Sequence, residues 1–186
     1  AASRSGTAWQ KFRDSMSGAG GLSAVISTGA LSLAAGRAIE AAKNAQEAAS
    51  MFDEVFKDQA DSTRKWSQEL ATTIGRSAYE LQGQAAQFQQ VLTGMFPDRA
   101  EAAEMSRTFA ALAQDVASFY NLSESDAVAK LRSGLTGEME PLKQLGIVIS
   151  ATAVEAKALE MGLAGSAKAL TDQDKAAARA QLIIDG

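Results

Sequence analysis

Apolar positions in this chain recur at steps of three and four, the repeat of one helix face, and nowhere alternate over a useful length as a half-buried strand requires. Trp66, Leu70 and Ile74 set the period for Asp61 to Ile74, and Gly75 is a fitting stop. Ser77 and Glu80 stand in capping-box register and open the next helix, with Leu81, Ala85, Phe88 and Leu92 on one face. Gly94 and Pro97 interrupt it. Asp98, with Glu101, offers a cap for a longer helix to about Tyr120, whose stripe is Met105, Phe109, Leu112, Val116 and Phe119. Those are the largest residues on any face of the chain, so the stripe is expected to be core.

Asn121 and Ser123 close that helix and open another, with Ser123 and Asp126 in capping-box register and Ala127, Val128 and Leu131 facing inward. Gly134 is expected to end it. Pro141 suits a first helical turn, where its missing N–H is not needed, and Gly146 suits a left-handed stop. Ile147, Val148 and Ile149 form a short extended run. Ser150 or Thr152 then starts a helix through Leu163, and Thr171 with Asp174 starts the last one. The fold expected is all-α, with no sheet.

The N-terminal part has a different pattern. Trp9, Phe12 and Met16 make one short amphipathic turn within Thr7 to Ser17. Ser15 to Gly36 carries no charge, and about 20 apolar residues would cross a bilayer. Its Gly and Ser content leaves Leu22, Val25, Ile26, Leu31 and Leu33 as the main apolar groups, so two readings stand: a close-packed or flexible segment, and a membrane-active one. From Arg37 to Lys57 an Ala-rich seam runs through Ile39, Ala42, Ala45, Ala49, Phe52 and Phe56. With its lead-in this helix could extend ~50 Å at about 1.5 Å per residue. It reads equally as a self-associating rod and as a helix packed on its own domain. Residues 1–60 are thus expected to be a lead-in and long amphipathic helix, and 61–186 a compact multi-helix bundle.

Composition narrows the chemistry. The chain has 186 residues, 46% of them hydrophobic but only 6% aromatic, so much of any core is Ala, which favours helix and buries little surface. A net charge of −4 with mixed signs supplies no basic face, which argues against sequence-specific nucleic-acid recognition. With no Cys and no His, disulfides, thiolate and imidazole metal sites and a Ser-His-Asp triad are excluded. No cofactor is expected. The chain starts on Ala and stops on a helical pattern without a tail, which suggests a region of a longer polypeptide; no stretch resembles a secretory signal.

The string SFYNLSESDAVAKLRSGLTGEMEPLKQLGIVIS, from Ser118 to Ser150, resembles the tape measure proteins of long-tailed bacteriophages and prophages. The residues that carry the resemblance are Phe119, Tyr120, Asn121, Gly134, Leu135, Gly137, Glu138, Pro141, Leu142 and Gly146, within a motif region of 105–150. AAEMSRTFAALAQDVA before it and TDQDKAAARAQLII after it fit the same pattern, and Ala38 to Phe56 fits more loosely. Met139 departs from the small polar residue many relatives carry there. What the resemblance implies is an assembly role: a long helical protein in the tail lumen of the virion, made in the host cytoplasm, around which tube subunits polymerise to a set length. It also implies contact with the host envelope during DNA delivery. The implied partners are further copies of the chain, tail tube and tail tip proteins, and, through 15–36, a host membrane. A membrane-active segment that assists genome passage is the alternative function.

Some members of that family carry a cell-wall-degrading domain, which would need catalytic groups. Glu138 and Glu140 are the tempting carboxylate pair, but two positions apart on a helix they would diverge by about 200°. They read better as acids complementing the dipole of the Pro141 helix. Ser118, Ser123 and Ser133 lack a base other than Lys130 or Lys143, and SGLTGE lacks the GK[ST] ending of a phosphate loop. A non-enzymatic role is expected.

Overall fold

The computed structural model describes Glu40, Lys43 and residues 46–186. The turn at Trp9, Phe12 and Met16, the uncharged stretch 15–36, and Ile39, Ala42 and Ala45 lie outside the described residues. The chain divides between Glu47 and Ala48, and Ala48–Gly186 form one compact unit.

That unit is all-α. Among the described residues a helix over 46–56, called α1, is followed by a single turn of 3-10 helix at Lys57–Gln59. Then come α2 (Ala60–Ile74), α3 (Ala78–Leu92), α4 (Arg99–Tyr120), α5 (Glu124–Thr136), the one-turn α6 (Glu140–Lys143), α7 (Ala151–Glu160) and α8 (Asp172–Asp185). No strand occurs among the described residues.

The helix starts follow the polar residues before them. Ser77, Asp98, Ser123, Ser150 and Thr171 each accept a hydrogen bond from a backbone N–H of the first helical turn, satisfying a donor that has no partner inside the helix. At Thr171 the box is complete, because the Asp174 carboxylate accepts the Thr171 N–H in return at 2.8 Å. The helix ends share one solution as well. Gly75, Asn121, Gly137, Gly146 and Gly162 all adopt positive φ, and after each the next N–H reaches back to a carbonyl of the preceding helical turn, which is the left-handed Schellman stop.

One large core and one small one hold the elements together. In the first, Phe56, Phe88, Phe109, Leu92, Leu131, Leu135, Leu142 and Ile183 are wholly buried, and Phe88 meets Phe109 with ring centroids 5.4 Å apart. The second, under α7 and α8, contains Val154, Ala158, Leu170 and Ala178. A polar ladder crosses the first core: Gln114 Nε2 donates to Gln84 Oε1 at 2.6 Å, Gln84 Nε2 donates to Glu124 at 2.8 Å, and Glu124 pairs with Arg76 at 3.3 Å.

The bundle starts earlier than the boundary at 60/61 read from the sequence. Lys57 takes φ 50°, turning the chain so that Arg64 pairs with Asp53 and lies 5.1 Å over the Phe52 ring. Phe52 and Phe56, self-association residues in the rod reading of this seam, are 4% and 0% exposed and belong to the unit's own core, as the packed-helix reading expects. Two aromatic rings bury far more apolar surface than the Ala residues beside them, so they decide which side of α1 faces inward.

Two further expectations are corrected. Gly134 does not end α5, which runs on to Thr136 and stops at Gly137 with φ 102°. Phe119 is not core. It is 82% exposed, and the buried face of α4 turns instead through Ala102, Ser106, Phe109, Ala113 and Val116. Phe109 and Val116 of the expected stripe are buried and Met105 and Leu112 pack against the core, while small residues beside them let α3 and α5 approach closely.

Candidate functional site

The residues on which the family resemblance rests lie where α4, α5 and α6 meet. Asn121 takes φ 51° and ends α4 with its Schellman bond, from Leu122 N–H to the Ala117 carbonyl at 2.9 Å. The Tyr120 hydroxyl, just before it, donates to the Leu145 carbonyl at the far end of α6. A Cβ on Gly146 would sit 3.7 Å from that same hydroxyl oxygen. Tyr120 therefore clips the end of α4 onto the end of α6.

Gly134 has a packing role that its turn chemistry had concealed. A Cβ at this position would lie 2.4 Å from Leu142 Cδ1 and 2.6 Å from its Cγ. Only the missing side chain lets wholly buried Leu142 seat against α5. Pro141 occupies the first turn of α6, where its fixed φ pre-organises the turn that delivers Leu142.

Leu135 is buried beside it, and its carbonyl accepts a hydrogen bond from Arg179 Nη1 of α8 at 3.2 Å. The Arg179 guanidinium also lies over Gly137, where a Cβ would come 3.6 Å from Nη1. Sequence reading did not find Arg179. Nothing local to α8 signals which distant turn an arginine will cover.

Glu138 and Glu140 are both exposed and are used structurally. The Glu138 N–H completes the stop after α5 by donating to the Ser133 carbonyl at 2.9 Å, and Glu140 pairs with Lys143 at 2.9 Å. Lys130 and Lys143, the possible bases, bind Gln144 and Glu140. Phe119 stands outside the clip, its ring edge-on to Tyr120 at 4.9 Å, and Val148 is 76% exposed. Ile147 and Ile149 on either side pack against the core.

Of the expected self-association residues, Ala49 is exposed, Phe52 and Phe56 are buried, and Ile39, Ala42 and Ala45 lie outside the described residues. Among the described residues no group of three or more acidic side chains could hold a metal ion, and no helix is long and apolar enough to cross a membrane. Comparison with family models, with curated proteins and with solved structures returns no match.

Proposed function

We propose that this chain is a structural, non-enzymatic region of a tape measure protein of a long-tailed bacteriophage or prophage. It works in the tail lumen of the virion, where it takes part in building a tail tube of set length and, later, in DNA delivery. Its partners are further copies of itself and the tail tube and tail tip proteins.

The observation that supports this most is the interdependence of the residues carrying the resemblance. Tyr120, Gly134, Pro141 and Leu142 are separated in sequence but converge on α6: Tyr120 bonds to the carbonyl just past its end, and Gly134 leaves the space that Leu142 fills. Residues that meet at one helix in the fold are a more specific signature than common turn residues scattered along helices. Of the groups considered for catalysis, Glu140 and Lys143 pair with each other, Lys130 binds Gln144, and Ser123 caps α5.

Protease protection tests the location. Peptides from 48–186 are expected in digests of purified tails only after the tails are opened, and not from external proteolysis of intact ones. Their absence from purified tails, or full accessibility in intact tails, would overturn the reading.

A further inference from the structure

Among the described residues, positive φ falls on Gly75, Asn121, Gly137, Gly146 and Gly162 and on one residue of another kind, Lys57, at φ 50°. Gly and Asn tolerate the left-handed region; a long side chain does not enter it freely. Lys57 stands at the break between α1 and α2. The residues at 57–60, Lys-Asp-Gln-Ala, contain neither Gly nor Pro, and Lys, Gln and Ala are good helix formers. Local sequence thus favours a helix that the fold interrupts, and such a conformation persists only where surrounding contacts over-determine it.

Those contacts come from outside the turn. Arg64 of α2 pairs with Asp53 and lies 5.1 Å over the Phe52 ring. Arg99 Nη1 of α4 donates to the Val55 carbonyl at 2.9 Å. Phe52 and Phe56, with ring centroids 4.7 Å apart, are both buried. On a straight helix Asp53 and Arg64 would stand ~16 Å apart at about 1.5 Å per residue, beyond the reach of their side chains. The Arg64 latch exists only in the bent form.

The buried positions describe a second form. Phe52 and Phe56 of α1 and Ala60, Thr63 and Ser67 of α2 are buried, at steps of four, four, three and four. If Lys57 took ordinary helical angles, all five would fall within about 80° of one face of a single helix. The stripe keeps its phase across a break that a permanent turn would leave free to drift.

We propose that Lys57 is a hinge and that α1 is a strap with two positions. Bent, the strap is latched by Arg64 and Arg99 and seals the core with Phe52 and Phe56. Released, Lys57 enters the right-handed helical region and 48–74 become one helix of ~40 Å at about 1.5 Å per residue. Both rings then leave the core, on the face that α2 continues. A cavity of ≈ 140 Å³ between Ala49 and Phe52 of the strap and Arg64, Gly83 and Ala86 of α2 and α3 opens with them. This inference does not depend on the tape measure reading, and its test concerns only the isolated chain.

The chain has no Cys, so Ser50→Cys and Thr72→Cys, both at exposed positions, take spin labels at defined sites. Double electron–electron resonance on the full chain then reads the distance between them. A straight helix from 50 to 72 places the labelled backbone positions ~33 Å apart at about 1.5 Å per residue, and the bent form is shorter. Wild type should give mainly the short distance. Phe52→Ser with Arg64→Gln removes the latch and should move most molecules to ~33 Å with helicity by circular dichroism retained. Adding Lys57→Gly should shift the ratio back about tenfold, because Gly adopts positive φ freely and disfavours the interior of a straight helix. Asp53→Arg leaves the core untouched and should raise the ~33 Å population more modestly; it decides the matter should the double variant lose helicity. In variants that keep their helicity, a short distance throughout, a broad distribution without a ~33 Å peak, or a ratio indifferent to Lys57→Gly would overturn the hinge.

Discussion

The two apolar clusters of the unit are held by different means. Around α3, α4, α5 and α6 the core contains Phe56, Phe88, Phe109, Leu131 and Leu142, all wholly buried. Between α7 and α8 it contains Val154, Ala158, Leu170 and Ala178, which bury much less surface per residue. The smaller cluster is surrounded by polar fastenings. Thr171 and Asp174 form a complete capping box, Ser150 caps α7, and Lys157 pairs with both Asp185 at 2.9 Å and Glu160 at 3.2 Å. Where large side chains are lacking, helix ends and charges carry a greater share of local stability. The α7–α8 hairpin should therefore open before the rest of the unit and respond to different perturbations.

The largest effect should come from the large core. Phe109→Ala should cost about 3–5 kcal/mol, read as a lowered urea midpoint for the whole unit. A loss confined to α7 and α8 would show that the two clusters do not differ as described.

Next comes the clip. Leu142→Ala should cost about 2–5 kcal/mol and Gly134→Ala about 1–3 kcal/mol through overpacking. The double variant should cost less than the sum, since the new Cβ would occupy space that Leu142 has vacated. Simple additivity would mean that the close approach of Gly134 and Leu142 has no energetic weight.

A smaller and more local change is expected at the hairpin. Thr171→Ala should remove about 1 kcal/mol of capping and speed amide exchange in 151–185 while leaving α3 to α5 unchanged. Smallest of all should be the response to pH. Hydrogen bonds from the Thr171 hydroxyl and N–H hold Asp174 below the usual carboxylate range, and Lys157, with Gln181, does the same for Asp185. Their contributions are present above the ordinary carboxylate pKa and fade as pH falls through the lowered values. Asp185 and then Glu160 raise Lys157 above its ordinary value, so its contribution is complete below that value and fades as pH rises through the raised one. Protection of the hairpin amides, corrected for the intrinsic pH dependence of exchange, should accordingly fall at both pH extremes. An equal fall in α3 to α5 would remove the contrast between the two clusters.

Local chemistry made most of the fold legible in the sequence. Ser77, Asp98, Ser123 and Thr171 marked helix starts, and Gly75, Asn121 and Gly146 marked ends, because capping depends on residues only a few positions apart. Gly134 and Phe119 depart from the sequence expectation for a shared reason. Gly134 is needed by Leu142 on another helix, and Phe119 is left outside because small residues form much of the inner face of α4. Each of these is decided by packing between elements, which a three-to-four periodicity cannot register. The clip's residues were found as a motif, but its mechanism was not. The Tyr120 bond to Leu145 and the reach of Arg179 to Leu135 join positions whose proximity only the folded chain creates.

The most direct measurement of the proposed tape measure role is tail length by electron microscopy after in-frame excision of 48–186 from the gene that encodes this chain. A folded unit of this size spans ~40 Å by the usual scaling of domain radius with length, whereas the same residues drawn out as one helix would span ~210 Å at about 1.5 Å per residue. Uniform shortening of no more than ~40 Å, with fewer complete tails, is the result predicted for a tape measure region that stays folded. Shortening near ~210 Å would contradict the folded bundle, and tails of unchanged length, number and infectivity would contradict the assembly role itself.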